Sequence, residues 1–387
     1  MYNKGAPLRI PERAPFLKRK QVVFLSFVIL AINPGSTSTK AGLFDGAQAL
    51  WTETVRHDPA EIAKFPSVSA QYDYRLEAIR KILREKGCDL GALSAVVGRG
   101  GIIDPIPGGT YAVDDFLRER LLSGKPWEHA SNLGGVLARG IADPLKVPAY
   151  IVDPVSADEV MDIARVTGLP QVPRIVLNHN LNAKAVTRRA ARDLGVDFLQ
   201  KNFILVHLGG GFTICAIQGG RIIDFDSGSD TGPFSPERAG ALPAIPAVEL
   251  CFSGDYDERS FKKQIAGRSG MMAWFGTSDM REIARRASEG DAQVNLVRDA
   301  MIYRIGCSVG AMAAALKGCV EAVVFTGGIA YDSSLIAAVE GWVGWIAPCL
   351  VYPGEDEMKA LAEGALRVLQ GEEKAKDYRS SVMIRSA

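Results

Sequence analysis

Three short stretches of this sequence have the residue types to hold an anion. Asn33-Pro34-Gly35-Ser36-Thr37-Ser38-Thr39-Lys40 follows an apolar run, Gly209-Gly210-Gly211 follows Ile204-Leu205-Val206-His207-Leu208, and Gly327-Gly328 follows Val323-Val324-Phe325-Thr326. A Gly, Ser and Thr turn at a strand end presents N–H and hydroxyl donors with no side-chain bulk in the way. Ser36 and Ser38 supply hydroxyls in the first stretch, and Lys40 adds a point charge. It is not a Walker A loop, because the G-x-x-x-x-G-K-[ST] order is absent, and no Rossmann G-x-G-x-x-G occurs. Each stretch alone is a weak signal. Three of them at strand ends, separated by helices, suit a nucleotide held between two domains. Arg99, in the turn Gly98-Arg99-Gly100-Gly101, has the planar fork that clamps a carboxylate or a phosphoryl group, with a solvated loop arginine as the plain alternative.

The 387 residues are about twice the usual domain size, so two cores are expected. Lys+Arg number 45 and Asp+Glu 44, a net charge of +1 that offers no electrostatic footprint for nucleic acid or a membrane surface. The six cysteines show neither a C-x-x-C nor a zinc spacing and read as core residues of a protein in a reducing compartment, the cytoplasm. The apolar run Val22–Ile32 is about half a bilayer span. Although Lys18, Arg19 and Lys20 precede it, no small-residue cleavage site follows, and it reads as a strand entering a turn.

Elements that would position these residues alternate along the chain. Val28 to Gly46 and Phe203 to Asp224 share one layout of strand, donor-rich turn, strand and glycine turn, a weak internal repeat. Helical spacing marks Tyr74 to Lys86, Ala183 to Leu194, and Glu357 to Leu369; Ser278 to Lys317 reads as two helices broken near Glu289-Gly290. Arg188, Arg189 and Arg192 form a solvated face of the second helix. Strands interleaved with helices give an α/β class.

The ordered segments Asn33–Lys40, Gly98–Gly101, Pro107–Tyr111, His129–Gly134, Asp153-Pro154-Val155, His207–Gly211, Gly232–Arg238 and Phe325–Ile329 resemble the acetate and butyrate acid kinase family of the sugar kinase, heat-shock 70 and actin superfamily, and within it the butyrate kinases. The resemblance covers about residues 28–370. It implies two duplicated ribonuclease H-like domains with an ATP cleft between them: 28–153 plus 354–373, and 154–353. Residues 1–27 are then a loose extension and 374–387 a tail. It also implies Mg²⁺, ATP as co-substrate, a short-chain carboxylic acid as acceptor, no nucleic-acid or membrane partner, and a homodimer or larger homo-oligomer.

The resemblance assigns roles residue by residue. Asn33, Arg99 and His179 should stabilise the phosphoryl group in flight; Ser36, Ser38, Lys40, His207, Gly209, Gly210, Gly211, Gly327 and Gly328 should hold the nucleotide. Asp153 and Glu357 should organise Mg²⁺, with Glu355 or Asp356 as alternatives to Glu357. Arg99, His129 and Arg238 should face the acid, Arg238 standing in for an arginine that acetate kinases carry where this chain reads Ala241-Leu242-Pro243. A second departure is Asn178-His179-Asn180, where the family has an aromatic and a small residue around the histidine. The fourth histidine, His57, in Arg56-His57-Asp58-Pro59, is expected at the surface. The reaction needs no general base, because a carboxylic acid of pKa about 4 is already ionised at neutral pH.

Three competing readings are weaker. Gly306-Cys307-Ser308-Val309-Gly310 fits the hydrolase elbow G-x-S-x-G, but it lies in a helical pattern and every histidine precedes it. Asp224 to Asp230 imitates a calcium loop, with its glycine one place early. A nucleotide-gated structural protein of the superfamily would not need the acid-side His129.

Overall fold

The structure is a computed structural model describing residues 27–172, 174, 176, 178–229 and 231–385. The expected amino-terminal extension, apart from Phe27, lies outside the described residues.

Two mixed sheets organise the chain. The first contains β1 (Val28–Gly35), β2 (Ser38–Asp45), β3 (Gln48–Arg56), β4 (Leu93–Arg99), β5 (Thr110–Ala112) and β6 (Ala149–Val152), in the order β3-β2-β1-β4-β6-β5. The second contains β7 (Asn202–Leu208), β8 (Phe212–Gln218), β9 (Arg221–Ser227), β10 (Ala322–Gly327) and β11 (Cys349–Pro353), in the order β11-β10-β7-β8-β9. In each, three antiparallel strands are followed by two that run parallel to the first: β4 beside β1 and β6 beside β4, β10 beside β7 and β11 beside β10. The two sheets therefore repeat one topology, with β5 added to the edge of the first, and the weak internal repeat of the sequence is the trace of it.

Each sheet is covered on both faces, which is why its parallel strands read as unbroken apolar runs. The Tyr72–Glu85 and Leu133–Leu145 helices lie on one face of the first sheet, and the Glu357–Leu369 helix on the other. On the second, the Ala292–Ala315 and Ser333–Val343 helices face the Asn180–Asp193 helix across the strands. The Glu357–Leu369 and Asn180–Asp193 helices also touch each other, and this contact joins the two domains.

Several local expectations are corrected. His57 is buried: its Nε2 lies 2.8 Å from Thr39 Oγ1 and its backbone N–H donates to Thr37 O, while its neighbour Arg56 is exposed. Polar flanks misled because a strand end can turn one residue inward between two that stay in solvent. Arg189 and Arg192 are exposed as expected, but Arg188 is only partly so, with its guanidinium 4.5 Å from the Phe198 ring centroid. Only Cys215 of the six cysteines is fully buried, and Cys251, Cys307 and Cys319 are exposed. The carboxyl-terminal segment is not a loose tail: Lys376 exchanges backbone hydrogen bonds with Thr110 and Ala112, and Tyr378 is buried with its hydroxyl donating to Asp104 Oδ2 at 2.7 Å. Ser308 sits inside the Ala292–Ala315 helix and donates to Asp226 at 2.5 Å, so the hydrolase elbow does not exist.

Candidate active site

Strand periodicity places the first candidate side chain. Ile29 and Ala31 point to the face covered by the Glu357–Leu369 helix, Leu30 and Ile32 to the opposite core. Asn33 continues the first set, so it arrives beneath the first turn of that helix, where its Nδ2 donates to Glu357 Oε2 at 2.7 Å. Lys40 is the cross-strand partner of Asn33 and shares its side of the sheet. Arg99 is the last residue of β4, and its guanidinium forms an ion pair with the other oxygen of Glu357. Gly98 allows this strand end to approach the Leu133–Leu145 helix, since a Cβ there would lie 2.0 Å from Gly134 O. Asp356 is committed to capping, accepting from Lys359 N at 3.1 Å, which leaves Glu357 as the carboxylate on the Asn33 and Arg99 side.

The second domain contributes two histidines stacked face to face, with ring centroids 4.3 Å apart. His207, at the end of β7, is buried; Glu355 Oε1 lies 3.2 Å from its Nε2, and Asn182 Nδ2 lies 3.1 Å from its Nδ1. A carboxylate at Nε2 needs a proton there, and Nδ1 then accepts from the Asn182 amide, so the two contacts select the same tautomer. That hydrogen bond from His207 holds Glu355 below the usual carboxylate range. His179 precedes the Asn180–Asp193 helix, and its Nδ1 lies 2.9 Å from Thr213 Oγ1 on β8. Burial, reinforced by the neighbouring His207, pushes His179 down to about 3, so its imidazole is neutral near pH 7. The charges of Arg238 and Arg99 act on it in the same direction. His129 bonds Ser131 Oγ at 2.8 Å; burial and then the Arg99 charge push its pKa down.

The second and third glycine turns meet at one cavity of about 820 Å³, lined by Gly209, Gly210, Ser278, Arg281, Gly328 and Tyr331 among others. Gly327 makes this possible. Its φ of +95° is unfavourable for other residues, and an added Cβ would lie 2.3 Å from Leu208 O. Arg238 packs its guanidinium on Gly211 and donates to Ser229 Oγ at 2.8 Å. The first turn is tighter than the sequence suggested: β1 and β2 run on to Gly35 and from Ser38, so only Ser36 and Thr37 lie between them.

Asp153 has partners of its own, different from those of Glu357. It closes β6 with a φ of +38°, accepts from Gly109 N at 2.7 Å, and lies 3.7 Å from Lys184 Nζ, which pairs with Glu159 at 2.6 Å. Burial pushes Asp153 up, but Lys184, Arg188 and Arg367 outweigh it and hold the carboxyl low. Among the described residues no three His, Cys, Asp or Glu side chains converge as a metal cage. Sequence reading missed Asn182, Thr213, Lys184 and the buried Arg75. Each is an ordinary polar residue within a helix or strand whose partner is remote in sequence.

A family model described as the Acetokinase family matches residues 178–340. "Probable butyrate kinase 2" of Caldanaerobacter subterraneus subsp. tengcongensis is 47% identical over 352 residues, covering 91% of this chain and 99% of that one. This chain belongs to the acetokinase family. The "Probable butyrate kinase" of Clostridium botulinum strain Alaska E43 is 45% identical, covering 92% of this chain and all of the relative. The acetate kinase of Porphyromonas gingivalis superposes with a TM-score of 0.74 at 20% identity, covering 89% of this chain and 100% of its own, so its likeness is one of fold. In this acetokinase-family member, both sheets contribute candidate side chains at their strand ends and adjoining segments. Asn33, Arg99 and His129 come from the first domain, and His179, His207 and Arg238 from the second.

Proposed function

We propose that this protein transfers the γ-phosphoryl group of ATP to butyrate, reversibly, giving butanoyl phosphate and ADP. The observation that carries the reading is the set Asn33, Arg99, His129 and neutral His179 around the cleft, in a chain 47% identical to a protein named as a probable butyrate kinase. A carboxylate oxygen attacks the γ-phosphorus in line, a new P–O bond forms, and the bond to the β-phosphate oxygen breaks with ADP as the leaving group. No proton moves. The difficulty is electrostatic, an anion approaching an anion, and fixed donors meet it. His179 donates from Nε2 while Thr213 holds Nδ1, and Asn33 donates from its amide. Arg99 exchanges Glu357 for the substrate anion.

The nucleotide lies with its sugar and base in the cavity beside Gly328 and Tyr331, and its phosphates toward Gly209, Gly210 and Gly211, with Ser36, Ser38 and Lys40 opposite. Mg²⁺ usually takes only one or two carboxylates together with phosphates and waters, so Glu357, Glu355 or Asp153 fits it without a protein cage. When bound it neutralises charge on the transferring group. The apolar helix Ala244–Cys251 has no buried residue and exposes Ile245, Val248 and the adjoining Phe252, which suits a face covered by a second copy of this chain. The free cysteines fit a reducing cytoplasm. Among the described residues no helix is long and apolar enough to cross a membrane.

The deciding experiment traps acyl phosphate as its hydroxamate with ATP and C2 to C5 acids. Product with butyrate supports the assignment. Tight ATP binding with no product from any short acid sinks it.

A further inference from the structure

Arg75 is the largest fully buried side chain among the described residues, and it carries a charge. It stands on the Tyr72–Glu85 helix, between Leu76 and its apolar neighbours, and its guanidinium reaches under the β1–β2 turn. Nη1 donates to Gly35 O at 2.9 Å, Ser38 O at 2.8 Å and Thr39 Oγ1 at 3.1 Å; Nη2 donates to Ser36 O at 3.1 Å; Nε donates to Gln71 Oε1 at 2.9 Å. Every one of these acceptors is neutral. Among the described residues no carboxylate forms an ion pair with it, although Arg75 is wholly removed from solvent. A buried charge without a counter-ion is costly, and proteins rarely retain one.

Two consequences follow from this geometry. In a trans peptide the N–H points opposite to the preceding C=O. With Gly35 O and Ser36 O both drawn toward Arg75, the N–H groups of Ser36 and Thr37 are turned away from it, on the exposed side of the turn. The positive charge itself lies directly beneath those donors, where it is screened less than any surface lysine.

We propose that Arg75 is a positioning residue for the terminal phosphates of the bound nucleotide, holding the β1–β2 turn with its donors outward and supplying the buried charge that the polyanion compensates. This rests on the reading of that turn as a phosphate site. It makes the phosphate charge, rather than the adenosine, the quantity to which Arg75 responds.

The test compares equilibrium binding of ATP, ADP and adenosine to the full chain carrying Arg75→Gln, Arg75→Lys or, as a control on the turn, Lys40→Ala, with folding checked by circular dichroism melts. The expected result for Arg75→Gln is an ATP affinity about 10-fold weaker, a smaller loss for ADP and no change for adenosine. A purely structural role would weaken all three ligands alike. Arg75→Lys keeps the charge but not the fork, and should lose part of the ATP affinity with adenosine unchanged. If Arg75→Gln does not fold, the ratio of ATP to adenosine affinity in Arg75→Lys carries the same test, and an unchanged ratio overturns the proposal. A folded Arg75→Gln with normal ATP affinity, beside a weakened Lys40→Ala, overturns the role of Arg75 alone. Normal ATP affinity in both overturns the phosphate reading of the turn as well.

Discussion

Arg99 and Glu357 form an ion pair at the cleft, although one ends a strand of the first sheet and the other begins a helix that follows the last strand of the second. Asn33 bonds the remaining oxygen of the same carboxylate, so a single side chain ties the ends of β1 and β4 to the start of the interdomain helix. The arginine expected to grip substrate is therefore held in place, with its charge matched, before substrate arrives. Each partner is about four-fifths buried.

That mutual dependence predicts a non-additive pair. Arg99→Gln should lower kcat/KM for the acid at least about 10²-fold and destabilise the fold by about 1–2 kcal/mol, because Glu357 is left partly buried and unpaired. Arg99→Gln combined with Glu357→Gln should recover most of the stability and none of the activity. Urea midpoints for the double-mutant cycle measure the first effect. Strictly additive destabilisation would show the pair to be incidental.

His179→Ala should reduce kcat at least about 10²-fold with little change in ATP affinity, as loss of one transition-state donor does. Steady-state kinetics beside equilibrium ATP binding separates the two quantities, and near-wild-type turnover removes His179 from the mechanism.

The depressed pKa of His179 also fixes the sign of a stability effect. The unfolded chain takes up its proton near pH 6.5, whereas the folded imidazole resists until about 3. Its contribution is fully present above pH 6.5 and is lost as pH falls toward 3, at up to about 1.4 kcal/mol per pH unit. Thermal melts between pH 7.5 and 4.5 should show a shallower acid slope for His179→Asn than for the parent. Equal slopes would mean that the ring titrates normally.

Asn182→Asp should convert His207 from a neutral ring donating to Glu355 into an imidazolium held between two carboxylates. Nitrogen-15 spectra of labelled histidine read this change directly: one protonated and one bare nitrogen in the parent, two protonated nitrogens in the variant. An unchanged pattern would show that Asn182 does not set the tautomer.

Gly327→Ala should be disruptive beyond the size of one methyl group. The position has positive φ, and the new Cβ would meet Leu208 backbone. A loss of at least about 1–3 kcal/mol is expected, together with weaker ATP binding, because β7 and β10 carry the two turns that share the cavity proposed for the nucleotide. A calorimetric melt and an ATP titration check both.

What the sequence determined by itself is what local pattern can carry. Val28 to Gly46 and Phe203 to Asp224 repeat one alternation of apolar strand and glycine turn, and both fold as hairpins beginning equivalent sheets. Glu357 to Leu369 has its apolar period and an acidic cap, and it is a helix over that same span. The turns were legible because glycine and small hydroxyl residues after an apolar run mark a strand end, and three of them recur along the chain. Tertiary structure decided everything that depends on a partner far along the chain. Arg75 looks like one more charge on an amphipathic helix until the β1–β2 turn supplies four acceptors for it. His57 looks solvated until Thr39 and Tyr74 close over it. Glu357 and Glu355 are neighbours in sequence, yet one faces Arg99 and the other His207, because the chain leaves β11 for its helix where the two domains meet. Burial and hydrogen bonding depend on three-dimensional neighbours, and only the folded chain supplies them.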